Sequence, residues 1–452
     1  MKGCSLKEPI ISVSGLRGIV GESLTPDVAM RFAASFAAGL SSGPLVVTRD
    51  GRTTGRMLAS AIHAGLCAVG RCVIDADIAA TPTTGVLVRQ HAAAGGIQIS
   101  ASHNPLPYNG LKLFDDKGQV LTADAGEQVV ALYRTGELPW VDHKRVGQVQ
   151  TCQDVSQQHL QLLMATIEAD RIRAKRFKVL LDSNHGAGST LGRNLLEQLG
   201  CQVILLGGSP DGQFAHPPEP TAENLESVSC QVTQAGADVG FCQDPDADRL
   251  AVVDEKGNYV GEEYTLALCL DHVLRQRTGP VVTNCATSRM AQDLANKYDC
   301  PFFRSQVGEA NVVALMQAQQ AMFGGEGNGG PIDPRVGYVR DSFVGMALIL
   351  AALAERETTI SRLTGELPRY AIHKTKIGLD RDQVAGALKK LVTAFADATP
   401  DHLDGLRLDW SDRWLLVRAS NTEPIVRVIA EAPTHNQAVA LCQQATNLLQ
   451  SA

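Results

Sequence analysis

The chain predicts an α/β protein of four domains, three related mixed-sheet domains followed by a smaller α+β domain. Three observations lead there. The order strand–helix–strand–helix–strand recurs three times before residue 368. The third strand of each repeat runs into a loop dense in polar residues or glycine. Beyond residue 368 the pattern changes to closely spaced strands and one long amphipathic helix. Expected domain ranges are 1–148, 149–256, 257–367 and 368–452.

In the first repeat the strand-like stretch 44–48 leads into the polar loop Arg49-Asp50-Gly51-Arg52. A helix is expected from about 54 to 67, a strand at 72–74, a helix from about 82 and a strand at 96–99. The second repeat has strands at 178–182, 202–206 and 238–242, with helices ending near 199 and 235. The third has strands at 280–283, 302–304 and 322–323, with helices over 288–297 and 310–320. In the last segment, 406–408, 414–417 and 425–429 read as strands. A closing helix over 433–449 carries Ala438, Leu441, Ala445 and Leu448 at helical spacing.

Composition excludes several classes. The 452 residues are 44% hydrophobic and 20% charged, an ordinary soluble balance. A net charge of −7 with 5% aromatics speaks against a nucleic-acid partner, which would favour a basic surface and stacking platforms. No apolar run is long enough to span a bilayer, and residues 1–8 lack a signal-peptide core. The 11 cysteines form no CxxC pair, so a reduced, cytoplasmic protein is expected, with Cys67 and Cys72 read as core thiols.

The three strand-end loops carry the chemistry. Ligands of open α/β sheets bind beyond the carboxyl ends of strands, so equivalent loops can face one cleft. The first is Ser100-Ala101-Ser102-His103-Asn104-Pro105, a hydroxyl beside an imidazole and an amide. It suits a covalent group on Ser102 with His103 handling protons; the competing reading is a polar turn. The second holds Asp244, Asp246 and Asp248, whose alternate spacing can converge three carboxylates on one hard cation. An EF-hand loop begins the same way and would find Glu255 at its twelfth position. Arg249 stands where that loop needs glycine, and the flanks read as strands. Arg249 is placed to meet a substrate phosphate beside the metal.

The third loop, 324–330, lacks the Lys-Ser or Lys-Thr of a P-loop. Among its glycines only Glu326 and Asn328 can read a ligand, and a carboxylate with an amide suits paired sugar hydroxyls. In the last segment Arg418, Ser420, Asn421 and Thr422 form a phosphate-binding inventory, with a hairpin turn as the alternative. Arg17 and Lys112 flank the serine loop in sequence as two further cations.

Together these loops resemble the α-D-phosphohexomutase superfamily, which includes phosphoglucosamine mutase, phosphomannomutase and phosphoglucomutase. The resemblance spans essentially the whole chain in order. It implies a heart-shaped four-domain fold with a central cleft, and Ser102 phosphorylated in the active enzyme. One Mg²⁺ per chain would be held by Asp244, Asp246, Asp248 and a phosphate oxygen on Ser102. Arg17, His103 and Lys112 fall where the family assists phosphoryl and proton transfer. The implied reaction interconverts hexose 6- and 1-phosphates through a 1,6-bisphosphate, which also serves as activator. Glu326 and Asn328 would hold the sugar, and Arg249 with the Arg418 loop its phosphates.

The sugar loop Glu326-Gly327-Asn328-Gly329-Gly330 is similar to the archaeal-type phosphoglucosamine mutases, so glucosamine phosphate is the expected substrate. Mannose or glucose phosphate is the alternative. A non-mutase phosphosugar-binding protein and a sugar phosphatase stand further off. The expected partner is a small phosphosugar, on a monomer or homodimer. Two departures from the family pattern are Ile11-Ser12-Val13 near the start and Asp341-Ser342 in place of an aspartate-glycine step.

Overall fold

A computed structural model describes residues 8–12, 15–379, 381–419 and 425–450. The first unit contains β1 (Ile10–Ser12), β2 (Gly15–Ile19), α1 (Pro26–Ala38), β3 (Leu45–Arg49), α2 (Gly55–Ala68), β4 (Val73–Ile78), α3 (Thr81–Gln90), β5 (Gly95–Ile99), β6 (Tyr108–Phe114), α4 (Ala123–Thr135) and β7 (Val149–Thr151). The second contains α5 (Gln157–Met164), α6 (Ala169–Lys175), β8 (Lys178–Asp182), α7 (Ser189–Gln198), β9 (Gln202–Leu206), α8 (Glu226–Ala235), β10 (Val239–Gln243) and β11 (Leu250–Val253). The third contains α9 (Glu262–Gln276), β12 (Val281–Asn284), α10 (Met290–Lys297), β13 (Phe302–Ser305), α11 (Glu309–Ala318), β14 (Phe323–Glu326), β15 (Gly330–Ile332), α12 (Ser342–Arg356) and α13 (Ile360–Gly365). The fourth contains β16 (Ala371–Gly378), α14 (Arg381–Ala394), β17 (Thr399–Asp401), β18 (Leu406–Asp409), β19 (Trp414–Ala419), β20 (Ile425–Ala432) and α15 (His435–Gln450).

The three repeats share one strand order. It reads β6-β5-β3-β4 within the first sheet, β11-β10-β8-β9 in the second and β15-β14-β12-β13 in the third. In each, the three strands expected from sequence run parallel, and a fourth returns antiparallel beside the third. Sequence reading found that fourth strand in the second repeat, where 250–253 follows the aspartate loop as β11, and missed it in the first and third. β15 has only three residues and β6 starts inside a polar stretch, so neither shows a clear period. The three chemically dense loops are therefore the turns of three equivalent hairpins. The fourth sheet, β16-β20-β19-β18-β17, is antiparallel throughout.

Several expected elements are longer than their apolar runs. The strand expected at 72–74 extends to Ile78, and the one at 322–323 lies at Phe323–Glu326. Cys72 is exposed, just ahead of β4, and is not a core thiol; Cys67 is partly buried and packs against the core of the first unit. On α15 it is Leu449, with Ala438, Leu441 and Ala445, that is fully buried, whereas Leu448 is partly covered.

Helix α12 is the centre of the second and third units. Every residue from Ser342 to Ala354 is buried, which fits a helix that is apolar on all sides and enclosed rather than amphipathic. It lies in one continuous core with α9, α5, α6 and α7. Each fully buried Phe, Met, Leu or Ile there contributes roughly 1.5–3 kcal/mol of transfer free energy. Asp341 caps its start, accepting from the Phe343 and Val344 N–H groups at 2.8 and 3.2 Å. Among the described residues no helix is long and apolar enough to cross a membrane.

Candidate active site

Strand β5 is buried along its whole length and ends at Ile99, beneath the serine loop. Ser102 itself adopts a left-handed backbone, φ 50°, unusual for a residue with a side chain. The loop is held from below by Arg52, which is 1% exposed. Its Nη2 donates to the Ser102 and Asn104 carbonyls, both at 2.6 Å, and its Nη1 to those of Pro105 and Tyr108, both at 3.0 Å. Its Nε donates to Asp50 Oδ2 at 3.1 Å, so all five guanidinium N–H groups are used. Asp50 also accepts from Ser100 Oγ at 2.6 Å, and that oxygen accepts from the Ser102 N–H at 2.8 Å. Burial raises the Asp50 carboxyl, opposed by Arg52.

Above this cradle Ser102 Oγ donates to Asp244 Oδ2 at 2.8 Å. Asp244, Asp246 and Asp248 each offer an oxygen within 4.8 Å of the others, and all three are fully buried. Burial together with the charges of Asp246 and Asp248 pushes Asp244 well above the carboxylate range. Asp246 is driven low despite its burial, because Lys112 is beside it and Thr81 Oγ1 donates to it at 2.6 Å. Oδ1 of Asp246 and Oδ1 of Asp248 are buried and accept no N–H or hydroxyl among the described residues. Three converging hard carboxylates, with two buried oxygens open, fit a divalent cation such as Mg²⁺.

The expected cations converge here. Arg17 on β2 faces Gly110 on β6 and Gly15 faces Lys112, so both side chains project from one sheet face. Lys112 Nζ lies 2.6 Å from Asp246 Oδ2 and 2.7 Å from Asp248 Oδ2. Burial alone would lower Lys112; the two carboxylates raise it instead. Arg17 Nη1 reaches Asn104 Oδ1 at 3.5 Å. The Arg249 N–H donates to Asp244 Oδ1 at 3.1 Å, and its Nε lies 3.8 Å from Asp248 Oδ1. His103 Nδ1 is 3.3 Å from Ser102 Oγ. Burial, with Arg249 and Arg17 nearby, drives its imidazole down to about 3, so the ring is neutral at physiological pH.

The glycine loop abuts the aspartate turn, with the Leu250 N–H donating to the Gly329 carbonyl at 2.9 Å. Gly329 has φ +80°, and a Cβ there would sit 2.3 Å from the Leu250 oxygen, so this close approach requires glycine. The Glu326 carboxylate accepts from Asn284 Nδ2 at 2.7 Å, the Gly308 N–H at 3.2 Å and Asn328 Nδ2 at 3.4 Å. It also pairs with Arg340 at 3.0 Å. The free acceptor of this loop is Asn328 Oδ1, buried and without a partner among the described residues. In the fourth unit Arg418 Nε lies 3.1–3.2 Å from both Asp404 oxygens. Asp404 Oδ2 also accepts from the Val307 N–H at 3.0 Å. Ser420, Asn421 and Thr422 lie outside the described residues.

Sequence reading missed Asp50, Arg52, Thr81, Glu309, Arg340 and Asp404. The Asp50–Arg52 loop was visible; its partners, some 50 residues on, were not. Ser342 gains a reason: its hydroxyl donates to the Ala247 carbonyl at 2.7 Å, tying α12 to the aspartate turn.

Beside Gly327 a cavity of about 620 Å³ is lined by Glu262, Glu263, Glu431 and Lys374. Burial pushes Glu262 up to about 7 and Glu263 up to about 8. A carboxyl raised on folding stabilises fully below its unfolded range, and that contribution is lost as pH rises through its folded value. The melting temperature is therefore expected to fall by several degrees between about pH 5 and about pH 8. In Glu263→Gln that fall should shrink. Equal slopes in the two proteins, read by scanning calorimetry across this range, would remove Glu263 as its source.

Four family models match the chain in order. They are described as phosphoglucomutase/phosphomannomutase alpha/beta/alpha domains I, II and III, at 9–139, 157–257 and 261–370, and C-terminal domain, at 382–448. A "Phosphoglucomutase/phosphomannomutase" of Thermococcus kodakarensis is 35% identical over 446 residues, 97% of this chain and 98% of that one. A "Probable phosphoglucosamine mutase" of Thermococcus gammatolerans is 32% identical over 444 residues, 97% and 98% of the two chains. The crystal structure of a phosphoglucomutase/phosphomannomutase family protein from Burkholderia thailandensis matches with TM-score 0.86 and 25% identity, covering 98% of this chain and 97% of that one. In fold it also matches, at TM-score 0.61 and 14% identity, an Aspergillus fumigatus N-acetylphosphoglucosamine mutase; the match covers 98% of this chain and 96% of that one, which was solved with GlcNAc-6P and magnesium. With four consecutive domain matches and full-length relatives above 30% identity, the chain belongs to the phosphoglucomutase/phosphomannomutase family of phosphohexomutases.

Proposed function

We propose that this chain interconverts glucosamine 6-phosphate and glucosamine 1-phosphate by passing a phosphoryl group through Ser102. The observation that carries the reading is the 2.8 Å hydrogen bond from Ser102 Oγ to Asp244, at the edge of the three-carboxylate cluster. Asp244, Asp246 and Asp248 would hold Mg²⁺ together with an oxygen of phosphorylated Ser102. That ion would neutralise charge on the transferring phosphoryl group.

The protein's own groups do the rest. A sugar hydroxyl attacks phosphorus, its O–P bond forming as the Ser102 Oγ–P bond breaks. The hydroxyl proton passes to neutral His103, which delivers it to Ser102 Oγ, 3.3 Å away. Lys112, kept protonated by its carboxylate partners, and Arg17 present positive charge to the moving oxygens. The 1,6-bisphosphate turns over in the cleft and returns its other phosphoryl group by the reverse steps. Asn328 Oδ1 accepts from a ring substituent in either orientation, and Glu326 holds its amide in place. Arg249, Arg418, Ser420, Asn421 and Thr422 grip the phosphates. Hexose 1,6-bisphosphate, as activator, loads Ser102 at the outset.

Glucosamine is preferred because an acceptor-only amide oxygen suits a sugar bearing extra N–H donors, and because several full-length relatives are named for that sugar. The relative at 35% identity, named for glucose and mannose phosphates, favours those sugars as the second reading. The test is a panel of glucosamine, mannose and glucose 6- and 1-phosphates with Mg²⁺ and bisphosphate. Glucosamine phosphate should show the highest kcat/KM. Release of free phosphate with no isomer would overturn the mutase reading. Intact mass should gain one phosphoryl group on incubation with bisphosphate. Ser102→Ala should lose that gain and at least about 10³-fold of turnover.

A further inference from the structure

We propose that Arg340 is a positioning residue that registers the aspartate turn against the sugar-reading turn, so that cation and sugar sites form together. The inference rests on the function proposed above. Arg340 is 7% exposed, and three edges of its guanidinium meet three carboxylates. Nη2 donates to Asp248 Oδ2 at 2.7 Å, Nη1 lies 3.0 Å from Glu326 Oε2, and Nε donates to Glu309 Oε2 at 3.2 Å. Its own N–H donates to Glu309 Oε1 at 2.9 Å. The carboxylates belong to three elements: the turn after β10, the end of β14 and the first turn of α11.

A planar fork fixes the angles between its partners, whereas a lysine ammonium would act as a single point charge. Gly330 makes room for it: a Cβ there would lie 2.5–2.9 Å from the Arg340 side-chain carbons. The chain of contacts goes further. Glu326 also accepts from the Gly308 N–H, and the neighbouring Val307 N–H donates to Asp404, which holds Arg418. Cation site, sugar reader and phosphate reader are thus joined through groups that themselves touch no reacting atom. Burying an arginine among three carboxylates is poor economy for stability alone, since apolar residues of similar volume often serve as well. Registry is what such a cluster supplies.

The test uses the full-length, dephosphorylated protein with two separate probes, Mn²⁺ by electron paramagnetic resonance and glucosamine 6-phosphate by calorimetry. Arg340→Ala should weaken both by about tenfold or more, the scale of ordinary site coupling. Millimolar methylguanidinium should restore both in parallel, and methylammonium neither. Arg340→Lys keeps the charge, should fold if the alanine variant does not, and should recover at most one of the two affinities. Weakening of one probe alone, rescue of one alone, or wild-type behaviour of Arg340→Lys would overturn the proposal. Failure of the unmodified protein to bind either probe would instead sink the functional reading.

Discussion

Replacing Arg52 with alanine is expected to remove at least about 10²-fold of mutase activity and about 3–5 kcal/mol of stability. The reason is the number of groups one side chain satisfies. Four carbonyls between Ser102 and Tyr108 lose a donor; that of Pro105 keeps the Tyr108 N–H at 3.0 Å, and any left buried and unpaired costs roughly 1–3 kcal/mol. Asp50 is left as a buried carboxylate with only Ser100 and a backbone N–H as partners. The guanidinium also lies 5.0 Å from the centre of the Phe214 ring, so the second unit loses a contact. Arg52→Lys restores charge but not the five-donor fork, and should fall between the two. Urea denaturation gives the stability, and phosphoryl loading of Ser102 by bisphosphate gives the site. A variant that loads Ser102 at the native rate would show that the hairpin alone holds the loop.

At Lys112 the expected outcome is a protein that needs metal to be stable. Lys112→Met removes the cation between Asp246 and Asp248, leaving two buried carboxylates without it. Breaking such a pair costs about 3–5 kcal/mol, or roughly 5–15 °C in the melting temperature of a domain of this size. The aspartate oxygens left open in the native site are the ones a divalent cation would take. In EDTA the variant should melt well below the native protein, and Mg²⁺ should recover more of the loss than it adds to native protein. Equal melting in EDTA, or equal gains with Mg²⁺, would show that Lys112 does not balance the cluster. In the reaction proposed above Lys112 faces the phosphoryl oxygens, so activity should stay low even with metal.

Legibility in the sequence followed distance along the chain. The serine loop, the three aspartates and the glycine loop each fit in a few consecutive residues, and their equivalent places in three repeats showed that they meet. Arg340 was invisible by the same logic: its aspartate partner is 92 residues away, and Arg340 lies in a stretch with no period. Glu326 stood out in the sequence as one of the two side chains of the glycine loop long enough to reach a ligand; its protein partners did not. The structure adds Asn284 and the Gly308 N–H as donors to its carboxylate and leaves Asn328 Oδ1 open, which the sequence could not show because Asn284 lies 42 residues away. Of the antiparallel fourth strands, β11 was legible as the apolar run after the aspartate loop, whereas the three-residue β15 carries no alternation to detect and β6 begins in a polar stretch. The enclosed helix α12 escaped for the converse reason: being apolar on every side, it shows no amphipathic stripe.

The backbone of Ser102 carries a conformational cost. A side-chain-bearing residue held at φ 50° gives up about 1–2 kcal/mol that glycine would not. Ser102→Gly would release that strain but take away the hydroxyl that buried Asp244 accepts from, so heat tolerance should move little while phosphoryl loading is lost.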